Sequence, residues 1–203
     1  MLVADYILKF FYEKKVKDIF LLTGGAASFI VDAFSRQNKV KFTCVGHEQS
    51  SAMMADAYSR VGPNFSATLS SSGPGGQNLV TGIACSWFDS IPVMHITGNV
   101  NTYESIGAQK GTKGVRQVGF QETDVVSMVK PITKYAVKIN SSREIIRELE
   151  KAYQIAISGR PGPVLIDIPM DIQRQKIISK DNKNKRKKLD KYKPSKIDIK
   201  KID

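Results

Sequence analysis

Glu48 stands in Gly46-His47-Glu48-Gln49, directly after an apolar segment with Val40, Phe42 and Val45 and at the head of a helical one. A carboxylate at a strand-to-helix junction of an open α/β sheet faces the crevice beyond the carboxyl ends of the strands, where such sheets bind ligands. Apolar enclosure makes a carboxylate hold its proton nearer working pH, as acid–base chemistry requires. The position also suits a purely helical role, because an acidic residue in a first turn is favoured by the macrodipole. A second chemistry-bearing run, Ser71-Ser72-Gly73-Pro74-Gly75-Gly76, again follows an apolar segment and opens a helical one. Its N–H groups could cradle an anion. It lacks the Lys-Ser/Thr of a P-loop and the spacing of a dinucleotide fingerprint. Its glycines equally allow a flat ligand close to the backbone, with Ser71, Ser72 and Asn78 as polar contacts, or serve only as a tight turn.

The elements that must position these residues alternate between strand and helix, the pattern of βαβ units and a parallel sheet. Ala4, Ile7, Leu8 and Phe11 recur at helical spacing, and 18–22 is the first strand, ending at Thr23-Gly24-Gly25. A helix over 26–36 precedes strand 40–45, and a helix over 47–60 is closed by Gly62-Pro63. Strand 66–70 leads through the glycine turn to a helix carrying Leu79, Ile83 and Trp87. Strand 91–96 ends at Gly98, and within it His95 reads as a core histidine with one hydrogen bond. Residues 99–119, with Lys110, Lys113 and Arg116, are too long a polar stretch for an ordinary connection, which marks them as functional or mobile. A short helix after Phe120-Gln121-Glu122, a strand near 133–139, a helix over 141–158 and a buried strand over 164–168 complete the pattern. The fold class is therefore α/β, an open parallel sheet of about six strands with helices on both faces.

The net charge of +12 would suggest nucleic acid, but residues 174–203 hold 13 Lys+Arg and 4 Asp, leaving 1–173 nearly balanced. Lysine-rich tails of this kind are usually solvated. Residues 1–173 form one domain, 174–193 a basic linker, and 194–203 the opening of a second domain at which the chain has been cut. Cys44 and Cys85 are far apart, without CxxC spacing, and with only two histidines no metal cluster is legible. Two reduced thiols, the absence of a signal-like N-terminus and the absence of an apolar run of ~18 residues point to a cytoplasmic protein with no membrane span.

Together, Thr23-Gly24-Gly25, Gly46-His47-Glu48-Gln49, Ser72-Gly73-Pro74-Gly75, Gly98-Asn99, Phe120-Gln121-Glu122, Ser158-Gly-Arg-Pro-Gly-Pro163 and Asp167-Ile-Pro-Met-Asp-Ile172 carry a resemblance over about residues 2–173. The chain resembles the N-terminal pyrimidine-binding domain of thiamine diphosphate enzymes, nearest to the acetolactate synthase large subunit. The resemblance implies that Glu48 hydrogen-bonds a ring nitrogen of the aminopyrimidine and promotes its imino tautomer, which then deprotonates the thiazolium. It also implies that Gly24, Gly25, Ser72, Gly73, Pro74 and Asn78 shape the pyrimidine pocket, that Gln121 faces the reaction centre, and that Arg160 matches a position contacting FAD. Thiamine diphosphate is the implied cofactor, a 2-oxo acid such as pyruvate the substrate, and a homodimer the assembly.

Two departures fall near the substrate side: Gly46 stands where synthases usually carry Arg, and the stretch between Gly98 and Phe120 is longer and more basic than usual. They open the reading to another 2-oxo acid or an activated sugar. No Gly-Asp-Gly occurs, so diphosphate and Mg²⁺ would be held by a domain absent from this chain, which alone is a half-site without turnover. The competing readings are a non-catalytic interaction module whose basic tail binds nucleic acid or an acidic partner, and a dinucleotide-binding domain. The missing fingerprint opposes the second.

Overall fold

Apolar residues at helical spacing fold Val3–Glu13 into α1, with Val3, Ala4, Ile7, Phe10 and Phe11 buried along one stripe. The computed structural model describes residues 1–62, 65–112 and 114–177. After α1 come β1 (Asp18–Leu21), a 3₁₀ turn at Gly25–Ala27, α2 (Ser28–Ser35), β2 (Lys41–Cys44), α3 (Glu48–Val61) and β3 (Ser66–Ser70). Then follow α4 (Pro74–Asn78), α5 (Val80–Asp89), β4 (Val93–Asn99), α6 (Val125–Val129), β5 (Tyr135–Lys138), α7 (Ile145–Ile157), β6 (Val164–Pro169) and α8 (Met170–Gln173). The strands form one six-stranded sheet in the order β2-β1-β3-β4-β6-β5. Every pairing is parallel.

Because side chains alternate across a strand, the sheet has two unlike faces. Ile19, Leu21, Ala67, Leu69, Met94, Ile96, Val164, Ile166 and Ile168 pack on one side with α1, α2, α7 and α8 in the larger core. The other side carries Ser66, Thr68, Ser70, His95, Thr97, Asn99 and Asp167, all buried. Its covering helices contribute Ala52 from α3, Ile83 from α5, and Val125 and Val129 from α6.

Several boundaries differ from the sequence reading. The helix expected over 141–158 begins only at Ile145, because Ser141 Oγ accepts from Arg143 N (3.3 Å) and the Glu144 carboxylate accepts from Asn140 N (3.1 Å). Those side chains hold turns instead. The helix after the glycine turn is two helices parted at Leu79, whose N–H bonds back three residues to Gly76. The second strand is an exposed edge, with Phe42 37% accessible. α3 ends at Val61 with Gly62 bonding to Tyr58 O; Pro63 lies outside the described residues. The first residues of the expected linker pair with the N-terminus, through Val3 N to Gln175 O (2.9 Å) and Ile177 N to Met1 O (3.0 Å). The remainder of that linker and the expected opening of a second domain, 178–203, lie outside the described residues.

Candidate active site

The strand order reverses between β1 and β3: β1 connects outward to β2, and the chain then crosses back to β3 on the other side of β1. That switch point opens a crevice at the carboxyl edge. Three loops meet there. Thr23 to Gly25 leaves β1, Val45 to His47 leaves β2, and Ser71 to Gly73 leaves β3.

Glu48 is the first residue of α3 and only 7% exposed. His47 caps the helix, its Nδ1 accepting from Gln49 N (3.2 Å). Glu48 therefore sits at the positive end of the helix dipole while its side chain enters the crevice. Asn78 Nδ2 donates to Glu48 Oε2 at 2.9 Å. Among the described residues, no hydrogen bond is donated to Oε1. Beside Oε1 lies Gly75, where an added Cβ would stand 3.3 Å from that oxygen and 3.5 Å from Ser71 Cβ. The surroundings are thus an amide and glycine backbone rather than the apolar enclosure considered from sequence.

Close backbone approach locks the loops together. A Cβ on Gly24 would fall 2.4 Å from Ser71 Cβ, and one on Gly98 would fall 2.1 Å from Ala26 O. Ser71 Oγ also accepts from Ala26 N (3.3 Å). Gly73 adopts φ +57°, a conformation that favours glycine. A Cβ there would stand 2.6 Å from the carbonyl oxygen of Gln121. Gln121 is itself at φ +57° and exposed, held in a turn that Glu122 N closes onto Gly119 O (3.1 Å). The structure thus brings Gly24, Gly73, Asn78, Gln121 and Glu48 to one edge. Ser72 is half-buried and accepts from Gly75 N (3.1 Å), and Pro74 is exposed at the start of α4.

One expected site residue, Arg160, stands apart, and another, Gly25, only borders the crevice. Nothing lies within 4 Å of a Cβ built on Gly25, which instead lines a depression of about 440 Å³ with Thr23, Gly24, Ser28, Val31 and Asp32. Glu48 is not in its wall. Arg160 is at the opposite, amino edge of the sheet, where its Nε donates to Ser90 Oγ (2.6 Å) just before β4. The anion cradle considered for the glycine turn also meets an obstacle. A carboxylate against Gly75 repels an anion and favours a ligand that hydrogen-bonds.

Sequence reasoning missed a buried network at the carboxyl ends of β4 and β6. Thr97 Oγ1 and Asn99 Nδ2 both donate to the Asp167 carboxylate, at 2.7 and 2.5 Å. Burial pushes the Asp167 carboxyl up to about 6, against the two hydrogen bonds and the charge of Lys138, which pull it down. His95 bonds Thr68 Oγ1 through Nδ1 (2.8 Å), and burial lowers it to about 3. Among the described residues no group of three His, Cys, Asp or Glu is placed to hold a metal ion, and no helix is long and apolar enough to cross a membrane.

Residues 1–128 match the family described as thiamine pyrophosphate enzyme, N-terminal TPP binding domain. The chain belongs to that family. Its relatives include the acetolactate synthase large subunit of Buchnera aphidicola subsp. Acyrthosiphon pisum (strain APS), 36% identical over 180 residues, or 89% of this chain and 29% of that protein. The acetolactate synthase isozyme 3 large subunit of Escherichia coli (strain K12) is 36% identical over 169 residues, 83% and 28% of the two chains. The acetolactate synthase large subunit of Cyanidium caldarium is 37% identical over 196 residues, 94% and 32% of the two. The chain spans about a third or less of the length of these curated relatives. Within the thiamine pyrophosphate enzymes it matches the N-terminal binding domain, and Glu48, Gly75 and Asn78 all fall inside the matched span.

Proposed function

We propose that this chain is the pyrimidine-binding part of a thiamine diphosphate-dependent 2-oxo acid carboligase or decarboxylase of acetolactate synthase type. The observation that carries the reading is a buried carboxylate at the switch-point crevice, Glu48, with Oε2 held by Asn78 and Oε1 beside Gly75 with no hydrogen bond among the described residues. These residues fit an aminopyrimidine: a flat heterocycle needs close backbone and one carboxyl able to share a proton with a ring nitrogen. Bound there, thiamine diphosphate supplies an electron sink for the bond cleaved in the 2-oxo acid.

The chain's own residues supply proton management and orientation. Asn78 fixes the Glu48 carboxyl through Oε2, which leaves Oε1 to hydrogen-bond the ligand. Gly24, Gly73 and Ser72 bring backbone to the ring, and Pro74 starts α4 behind it. Gln121 faces the substrate side. Diphosphate and Mg²⁺ belong to a separate domain, and an FAD contact at Arg160 lies across the sheet from Glu48. Exposed Met53, Met54 and Val61 on α3 with Trp87 and Phe88 on α5 support a homodimer through these helices. Free thiols at Cys44 and Cys85 suit a reducing cytoplasm.

Gly46 favours a second reading of the substrate. A side chain there would meet nothing within 4 Å, so glycine is not required by packing. The absence of a side chain there keeps the donor open to another 2-oxo acid or a sugar.

Glu48→Ala, in the enzyme assembled with its diphosphate-binding domain, is expected to lower 2-oxo acid turnover by about 10²-fold or more. Circular dichroism and melting temperature should stay close to wild type. Retained activity in a folded variant overturns the assignment.

A further inference from the structure

Between Asn99 and α6 the chain makes a long excursion, yet it is tied at its neck. The Glu122 carboxylate accepts from Ile106 N through Oε1 (2.8 Å) and from Val118 N through Oε2 (3.0 Å). One side chain thus joins two backbone positions twelve residues apart, the arrangement of a compact surface loop whose ends are close. On the first side of the neck, Gly107 N donates to Thr112 Oγ1 (2.9 Å) and Thr112 Oγ1 to Gln109 O (2.8 Å). The base is held separately: Thr102 bonds the Asp171 carboxylate through its N–H (3.0 Å) and its hydroxyl (2.6 Å).

Glu122 is also the last residue of the turn that holds Gln121 at positive φ, with its N–H on Gly119 O. Gly119 leaves no room for a side chain, since a Cβ would stand 2.7 Å from Val100 Cγ1. A non-glycine residue at φ +57° persists only where surrounding contacts fix it. Here the fixing contacts are the Glu122 backbone on one side and Gly73 on the other. The Glu122 side chain and backbone therefore bind the excursion and the Gln121 turn into one body.

We infer that Glu122 is a positioning residue: by clasping Ile106 and Val118 it sets Gln121, and with it the substrate side of the crevice, from the neck of the loop. The clasp itself stands on the hydrogen bonds, whereas its effect on substrate rests on the function proposed above. Glu122 need not touch the ligand. Two charge-assisted bonds to one carboxylate are stronger than neutral ones, so the neck is tied in the same way as the base at Asp171.

The test has two arms. In the 203-residue chain, Glu122→Ala should speed hydrogen exchange at the Ile106 and Val118 amides about tenfold or more, as loss of bonds to a charged acceptor predicts. Sheet amides such as those of Thr68 and Ile166 should stay protected, and Glu122→Gln, which keeps one acceptor oxygen, should fall between. Unchanged exchange at both neck amides overturns the clasp. In the assembled enzyme, Glu122→Ala should raise KM for the 2-oxo acid about tenfold with a smaller fall in kcat, partly restored in Glu122→Gln. Unchanged KM in an enzyme that still turns over overturns the positioning role. A wild-type enzyme that turns over no 2-oxo acid instead refutes the proposed function, and the exchange arm then still decides the clasp.

Discussion

The two faces of the sheet differ in chemistry: one is wholly apolar, the other mixes buried polar groups with apolar ones. Under α1, α2, α7 and α8 the strands present Ile19, Leu69, Met94, Ile96, Val164 and Ile166 to a core that includes Phe10, Phe11 and Phe34. Under α3 to α6 the same strands present Ser66, Thr68, His95, Thr97 and Asp167, all hydrogen-bonded, interspersed with Phe20, Val93 and Leu165. Ser59 and Ser66 share a bond at 2.6 Å, and Ser66 Oγ also reaches Ala55 O at 2.6 Å. Large apolar burial drives folding on the first face. On the second, α3 and α5 approach each other closely through small residues; a Cβ on Gly82 of α5 would meet Ala52 Cβ of α3 at 2.3 Å. The helix that carries Glu48 is thus placed by short hydrogen bonds and small contacts together with one apolar cluster, in which Tyr58 packs on Phe20. The larger apolar core and the site thus lie on opposite sides of one sheet.

The separation predicts a ranking. Phe34→Ala, on the apolar face and 1% exposed, should cost about 3–5 kcal/mol by urea unfolding. That is a large part of the ~5–15 kcal/mol of a typical domain. Gly98→Ala, at the carboxyl edge, should cost about 1–3 kcal/mol, because the new methyl meets the Ala26 backbone and one segment must shift. Ser59→Ala, on the polar face, should cost about 1 kcal/mol, the worth of an ordinary hydrogen bond. A Ser59→Ala loss equal to that of Phe34→Ala would break the comparison.

The apolar face was also the legible one. Strand 66–70 was placed to the residue, and all six strands were found from apolar runs between turn signals, because burial on a parallel sheet leaves a continuous local signature. Glu48 was legible for a similar reason: chain order puts a strand-to-helix junction at the carboxyl edge. The same rule places Arg160 at the amino edge, since it precedes β6. The Asp167 network was not legible, because its partners Thr97 and Asn99 are 70 and 68 residues away and depend on β4 lying beside β6. The Glu122 clasp was hidden too, since nothing in local spacing says that two distant amides will converge on one carboxylate. The break at Leu79 left no periodicity to find, as α4, Pro-Gly-Gly-Gln-Asn, carries no apolar stripe whose phase could change.

The finest test of the polar face is a pair of buried groups that pull stability in opposite directions. His95 is lowered to about 3 from an ordinary 6.5, so the unfolded chain takes up its proton first, and stability is lost as pH falls from about 6.5. Asp167 is raised to about 6 from 3.8, so the folded chain takes up its proton first, and stability is gained as pH falls from about 6 to about 4. Each slope is roughly 1.4 kcal/mol per pH unit, and the two oppose each other across the same window. Their joint contribution in the wild type is therefore nearly flat between about pH 6 and 4. Substitution of either group exposes the other. Relative to wild type, Asp167→Asn should lose stability and His95→Gln should gain it on acidification from pH 6 to 4, by equal and opposite amounts. Urea unfolding at four pH values across that range reads both. Parallel profiles for wild type and both variants would mean that these buried groups titrate alike in the folded and unfolded chains, and that the polar face holds no more electrostatic tension than the apolar one.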